Sequence, residues 1–375
     1  MRRLLAALLT LLVVAAAPAV AQQPGTLISA DPIATAPPGL QAWRVSYWTT
    51  NGQGARMQVT GIVAAPMEAI PPRPRRVIAW THGAWGVAEK CAPSLSANFF
   101  GASAGVEPAV RQGYVVVAPD YIGLGAPTMH PFLIGDDTSY AVLDAVRAAR
   151  GIPGAASGSS FAVWGESQGG HAALWTATNA RRYAPDLTLV GAAAAAPPTD
   201  LAANLREGSD KNARALLLSF GLHSWSTLYG YSLDTIVNKT NAGVIHRLAE
   251  NNCVSLEKKP KLGTILGILT VARATRNKDI GQIEPWKALA RANSVDPARV
   301  PGPLLLAQGD KDVIVAPAVT RKFAKAVCRN KTRLRWIEMR GTEHGASAKD
   351  SVGETLSWIG ARFDGHPPPD DCRRI

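Results

Sequence analysis

The stretch Gly165-Glu166-Ser167-Gln168-Gly169 is the part of this sequence most able to do chemistry. An apolar run, Phe161-Ala162-Val163-Trp164, leads into it, and Gly170-His171 opens a helical pattern directly after it. That is the strand–turn–helix context in which a G-x-S-x-G serine sits on a sharp turn with its Oγ exposed at the carboxyl edge of a sheet. A Cβ at position 165 or 169 would crowd neighbouring backbone, so both positions require glycine. A serine hydroxyl is a weak nucleophile and needs a general base, which in turn needs an orienting carboxylate. The implied chemistry is acyl transfer through an acyl-serine.

In this arrangement the chain order is Ser, acid, His. Pro303-Leu304-Leu305-Leu306-Ala307-Gln308-Gly309 reads as a buried strand, and the turn after it places Asp312 at the same sheet edge as Ser167. Asp310, readable as a turn cap, and Asp200, after the run Leu187 to Ala192, compete for the role. Of seven histidines, His344 alone lies on a loop directly after the last strand and before the last helix. His171, one turn into the helix after Ser167, reads as packing; His130, His223, His246 and His366 have no motif around them and read as surface or core residues. Two N–H donors must also meet the oxyanion. One is the backbone N–H of Gln168. The other is expected in Thr81-His82-Gly83-Ala84-Trp85-Gly86, between Gly83 and Gly86, with Gly83, Ala84 and Gly86 as candidates.

Positioning these groups requires a mostly parallel sheet with crossover helices, and the chain has that rhythm. Strand patterns lie at Val45 to Thr50, Gln58 to Ala64, Val77 to Trp80, Tyr114 to Ala118, Phe161 to Trp164, Leu187 to Ala192, Pro303 to Ala307 and Leu334 to Glu338. The first two alternate and are expected to be antiparallel at an edge; the later ones are continuous aliphatic runs, as doubly covered strands should be. Helical patterns lie at Thr138 to Arg150, Gln168 to Tyr183, Pro317 to Cys328 and Gly353 to Phe363. The rhythm stops across 201–299, where only helical pieces occur (Ala213 to Leu222, Asn241 to Glu250, Leu262 to Arg276, Pro285 to Arg291), a helical cap or lid inserted above the sheet. The expected organisation is a signal peptide at 1–21, an extended Pro/Gly-rich lead-in at 22–40, a core made of 41–200 and 300–375, and the cap between. Trp85, Trp225 and Trp286 could line an acyl pocket or pack in a core. Asp120-Tyr121 and Asp136-Asp137 lack a third ligand and read as structural turns; no metal site is expected.

The 375 residues are 47% hydrophobic and 18% charged, which excludes a disordered chain. Met1-Arg2-Arg3, the apolar run Leu4 to Ala17 and Ala19-Val20-Ala21 are the three parts of a secretory signal, with cleavage after Ala21. The apolar run is too short for a transmembrane helix, so the expected product is secreted, to the periplasm or the extracellular medium. Four cysteines, Cys91, Cys253, Cys328 and Cys372, suggest disulfides in that compartment and allow three pairings. The net charge of +12 comes from pairs such as Arg75-Arg76, Arg181-Arg182 and Lys258-Lys259, not from a cluster, so no nucleic-acid partner is expected. Residues 201–299 hold 14 Lys and Arg against eight acids, a basic cap suited to an anionic interface or acidic products.

Thr81-His82-Gly83 through Cys91-Ala92-Pro93-Ser94, Ala118-Pro119-Asp120-Tyr121-Ile122-Gly123-Leu124-Gly125, Gly165-Glu166-Ser167-Gln168-Gly169 and Ala196-Pro197-Pro198-Thr199-Asp200 together resemble the secretory lipase family, the lipase A type of yeasts and its bacterial relatives. The resemblance runs from about Ala30 to Phe363. It implies an α/β-hydrolase fold with a helical cap, acting on carboxylic esters, often acylglycerols. It carries the nucleophile to Ser167, the acid to Asp312 and the base to His344, and implies the bridges Cys91–Cys253 and Cys328–Cys372. The chain departs from the yeast members in having His82-Gly83 in the oxyanion loop. The expected activity is a secreted serine ester hydrolase without cofactor, on a small-molecule or lipid ester, with possible lipid contact through the cap and no obligate protein partner. An aryl or feruloyl-type esterase, an acyltransferase and a serine peptidase share the triad.

Overall fold

The computed structural model describes residues 23–254 and 260–375. The expected signal peptide and the Lys258-Lys259 pair lie outside the described residues. Among these the strands are β1 (Leu27–Pro32), β2 (Leu40–Thr50), β3 (Arg56–Pro66), β4 (Arg75–Thr81), β5 (Val115–Pro119), β6 (Ser157–Glu166), β7 (Thr188–Ala195), β8 (Leu304–Gly309) and β9 (Leu334–Met339). They form one sheet in the order β1-β2-β3-β5-β4-β6-β7-β8-β9. β1, β2 and β3 are antiparallel, and β3 meets β5 antiparallel. From β5 onward every pairing is parallel.

The lead-in therefore does more than extend along the surface: β1 within it takes the sheet edge, and β2 and β3 move inward. Its Pro/Gly-rich composition hides a strand whose stabilisation comes from pairing, with Ala30 opposite Val45 and Asp31 opposite Arg44. Pro32, which has no N–H to give a ladder, ends it at the edge where such a residue is tolerated.

Helices α1 (Phe99–Ala102), α2 (Val106–Arg111), α3 (Gly135–Ala149) and α4 (Gln168–Tyr183) precede β7. α5 (Leu201–Glu207), α6 (Lys211–Tyr229), α7 (Lys239–Asn251), α8 (Leu262–Ala274) and α9 (Trp286–Asn293) separate β7 from β8, and α10 (Pro317–Arg329) and α11 (Ser347–Phe363) complete the chain. Two buried clusters cover the two faces of the sheet. One joins Val63, Val77, Val117 and Val163 to Val142 and Val146 of α3, Leu174 of α4 and Phe323 of α10. The other joins Ile78, Trp80, Val116 and Trp164 to Val110 of α2 and Leu356 and Ile359 of α11. This is the α/β-hydrolase architecture, a mostly parallel sheet with helices on both sides. The helices between β7 and β8 have a core of their own, in which Leu218, Trp225, Ile245, Val271 and Trp286 are buried together. The continuous apolar runs within β4 to β8 are legible as strands because they are covered on both faces, whereas α5 is not legible, because only Leu201 and Ala203 of its seven residues are buried.

Candidate active site

Ser167 stands between β6 and α4 with φ 54° and ψ −123°, a left-handed backbone conformation that a side-chain-bearing residue adopts only where its surroundings impose it. Those surroundings are close backbone. A Cβ at Gly165 would overlap Thr81, and one at Gly169 would overlap the Thr81 carbonyl and stand 2.6 Å from His82 O. The Thr81 hydroxyl donates to Gly169 O at 2.7 Å, and Ser167 N donates to Ala195 O at 2.9 Å, so β4 and β7 clamp the turn from either side.

His344 lies in a short 3₁₀ turn between β9 and α11. Its Nε2 is 2.8 Å from Ser167 Oγ and its Nδ1 is 2.8 Å from Asp312 Oδ2. Asp312 is buried, and its other contacts are all donors: Ile314 N at 2.9 Å and Val315 N at 2.8 Å on Oδ1, and Gln308 Nε2 at 3.0 Å on Oδ2. A carboxylate so surrounded accepts from Nδ1–H, leaving Nε2 unprotonated to accept the serine O–H. The competing acids have other work. Asp310 is exposed and accepts from Gly341 N at 2.7 Å, and Asp200 caps α5 by accepting from Ala203 N at 2.9 Å.

The loop after β4 supplies the opposite wall. A Cβ added at Gly83 would stand 3.6 Å from Ser167 Cβ, and Ala84 shares with Ser167 and Gln168 the lining of one cavity. Gly86 points elsewhere: at φ +124°, a Cβ there would meet Cys91 Sγ at 2.8 Å and Asn252 O at 3.0 Å. Its glycine serves the approach of the loop to the Cys91–Cys253 bridge. That bridge is formed, as is Cys328–Cys372. Beside the first, Val254 N donates to Trp85 O at 2.8 Å, so the chain after α7 is tied to this loop twice. His82 is buried, its pKa pushed down to about 4 by burial, and it spans Gly83 O at 2.6 Å and Asp120 O at 3.3 Å.

Asp120 is a brace: it accepts from Ser94 N, Ser94 Oγ and Thr60 Oγ1. Asp136 and Asp137 tie α3 to Asn179 and to Gly52 N.

Two neighbours of Ser167 escaped sequence reading. His130, buried, has Nδ1 2.8 Å from Ile122 O and Nε2 3.0 Å from Gln168 Nε2, and burial pushes its pKa down to about 4. A neutral ring donating to Ile122 O must accept from the Gln168 amide, so His130 fixes the side chain of the residue after Ser167. No motif surrounds His130; only the fold brings it there. Glu166 is partly buried, and loss of solvent pushes its carboxyl up to about 7, an effect that nearby His344 moderates. His171 packs, with Nε2 2.7 Å from Asn293 O.

The cavity, about 110 Å³, is lined mainly by apolar side chains, among them Phe132, Leu217, Leu222, Trp225, Trp286 and Ile314. Trp225 and Trp286 thus both line it and belong to the buried cluster formed mainly by the helices between β7 and β8, whereas Trp85 is absent from the lining.

The model of the family described as "Secretory lipase" matches residues 102–371. The chain belongs to the secretory lipase family. Among its relatives, Lipase 5 of Candida albicans is 25% identical over 335 residues, covering 84% of this chain and 71% of that protein. A Mycobacterium tuberculosis protein named "probable inactive lipase" is 23% identical over 377 residues, covering 92% of this chain and 80% of its own. Candida antarctica lipase A is similar in structure, with a TM-score of 0.73 at 20% identity over 93% of this chain and 84% of that one. For a secretory lipase, two disulfides fit an oxidising compartment.

Proposed function

We propose that this secretory lipase is an exported serine carboxylic-ester hydrolase that cleaves acylglycerols or related lipid-like esters through an acyl-enzyme. The observation that carries the reading is the hydrogen-bonded line from Ser167 Oγ through His344 to buried Asp312, facing an apolar cavity. In this reading His344 takes the Ser167 proton as Oγ attacks the ester carbonyl. The oxyanion is received by the N–H of Gln168 and by an N–H of the Gly83-Ala84 segment, in a site whose low dielectric strengthens both bonds. His344 then protonates the leaving alcohol and activates the water that frees the acid.

The relative named as an inactive lipase is distant enough that its label does not transfer; here nucleophile, base and acid are within hydrogen-bond reach of one another. The exposed aliphatic side chains Leu262, Ile265, Leu266 and Leu269 on α8, in a cap of basic composition, support contact with a lipid aggregate. The Ala19-Val20-Ala21 site supports export.

Ser167→Ala tests the assignment. The purified variant is expected to keep its circular dichroism spectrum and lose hydrolysis of p-nitrophenyl esters from acetyl to palmitoyl. Retained activity would remove Ser167 from the reaction, and comparable cleavage of anilide analogues by the wild type would move the reading to a peptidase.

A further inference from the structure

The cavity that holds Ser167 is apolar, yet three polar side chains in its lining each keep one buried atom with no hydrogen-bond partner among the described residues: Gln168 Oε1, Asn204 Oδ1 and Arg214 Nε. Gln168 and Asn204 spend their amide N–H groups elsewhere, on His130 and on Asp200 O. Arg214 makes no ion pair with any described residue. The acid beside it in the lining, Asp210, has Oδ1 committed to the N–H groups of Asn212 and Ala213 as the cap of α6. Arg206, by contrast, has found Asp279 at 3.6 Å.

Arg214 lies in the first helical turns of the 19-residue α6, where the helix dipole already presents positive charge, and Lys211 adds to it. A cation at that end of a helix gains nothing from the helix itself. A guanidinium with a buried, unanswered N–H in an apolar wall is therefore matched to an acceptor that arrives with a ligand, and an anion matches it best.

We propose that Arg214 makes this cavity selective for esters that carry an anion besides the scissile carbonyl, with the guanidinium receiving that anion and Asn204 Oδ1 accepting from a neighbouring hydroxyl. The proposal rests on the ester-hydrolase reading and narrows its substrate class. The anion has two sources of the same chemistry: a carboxylate at the far end of the acyl chain, or a phosphate on the alcohol side.

The experiment compares kcat/KM for two matched pairs: mono-p-nitrophenyl glutarate against p-nitrophenyl pentanoate, and a lysophosphatidylglycerol against the monoacylglycerol of the same chain. Wild type, Arg214→Gln and Arg214→Glu are each measured. Arg214→Gln is expected to lower the anionic-to-neutral ratio about tenfold in one pair, since a charge-assisted bond is worth about that factor. Arg214→Glu should lower it further, and the pair that responds identifies the source. In the wild type, the same ratio should fall as salt is raised, because screening weakens the pairing, a readout that needs no variant to fold. Ratios within about twofold of wild type in both pairs, or indifferent to salt, overturn the role of Arg214 while leaving the hydrolase reading standing. A wild type that cleaves none of the four esters overturns both.

Discussion

Replacing Glu166 by Gln should stabilise this protein, and by an amount that depends on pH. The carboxyl lies beside Ser167 with solvent largely excluded, and its pKa is pushed from 4.5 up to about 7. Below about pH 4.5 the group is protonated both folded and unfolded, and it costs nothing. As pH rises toward 7 the unfolded chain ionises first, so the folded state loses stability relative to it, and above 7 the loss is complete. At about 1.4 kcal/mol per unit, the shift corresponds to a ceiling of about 3 kcal/mol, reduced by whatever water reaches this partly exposed side chain. Gln has no such titration, and any fixed cost of its amide is the same at every pH. For a chain of this size, about 3 kcal/mol moves Tm by about 4 °C. Scanning calorimetry of both proteins from pH 4 to 8 should show a Tm difference, variant minus wild type, that grows by up to that amount and levels off above 7. A difference flat within about 1 °C, or one that shrinks with rising pH, would refute the placement of a desolvated carboxyl beside Ser167.

Two further outcomes follow from the packing around the site. Replacing Cys91 and Cys253 by Ser opens a loop of 162 residues; the chain-entropy relation sets a ceiling of about 5 kcal/mol on the loss, read as a lower denaturation midpoint, and kcat should fall because Gly83 and Ala84 lose an anchor. Unchanged stability and kcat would mean that the bridge is not what holds the loop. Gly169→Ala should destabilise by at least about 3 kcal/mol or prevent folding, since the added Cβ meets the Thr81 carbonyl and backbone cannot yield as a flexible side chain can. A well-folded Gly169→Ala of near wild-type Tm would contradict the turn geometry.

Much of this molecule is local information. The turn at Ser167 is legible because it needs glycines at fixed offsets between an apolar strand and a helix, and the continuous runs of β4 to β8 reveal strands buried on both faces. The order of Ser167, Asp312 and His344 along the chain, and their placement after strands, are equally written in the residues. What the residues leave open is every relation that depends on which distant segments meet. Asp312 is distinguished from Asp310 and Asp200 only when the fold brings His344 Nδ1 within 2.8 Å of it, while the other two accept from Gly341 N and Ala203 N elsewhere. Gly86 differs from Gly83 only because Cys91 and Asn252 press on one and Ser167 on the other. β1 exists because β2 offers it a ladder. Likewise His130 reaches Gln168 across 38 residues, and Glu166 and Arg214 acquire their properties from the solvent and partners that the fold removes. Periodicity and turn chemistry are set by neighbours in sequence, whereas desolvation, pairing and the choice between equivalent side chains are set by neighbours in space, and only the tertiary structure contains those.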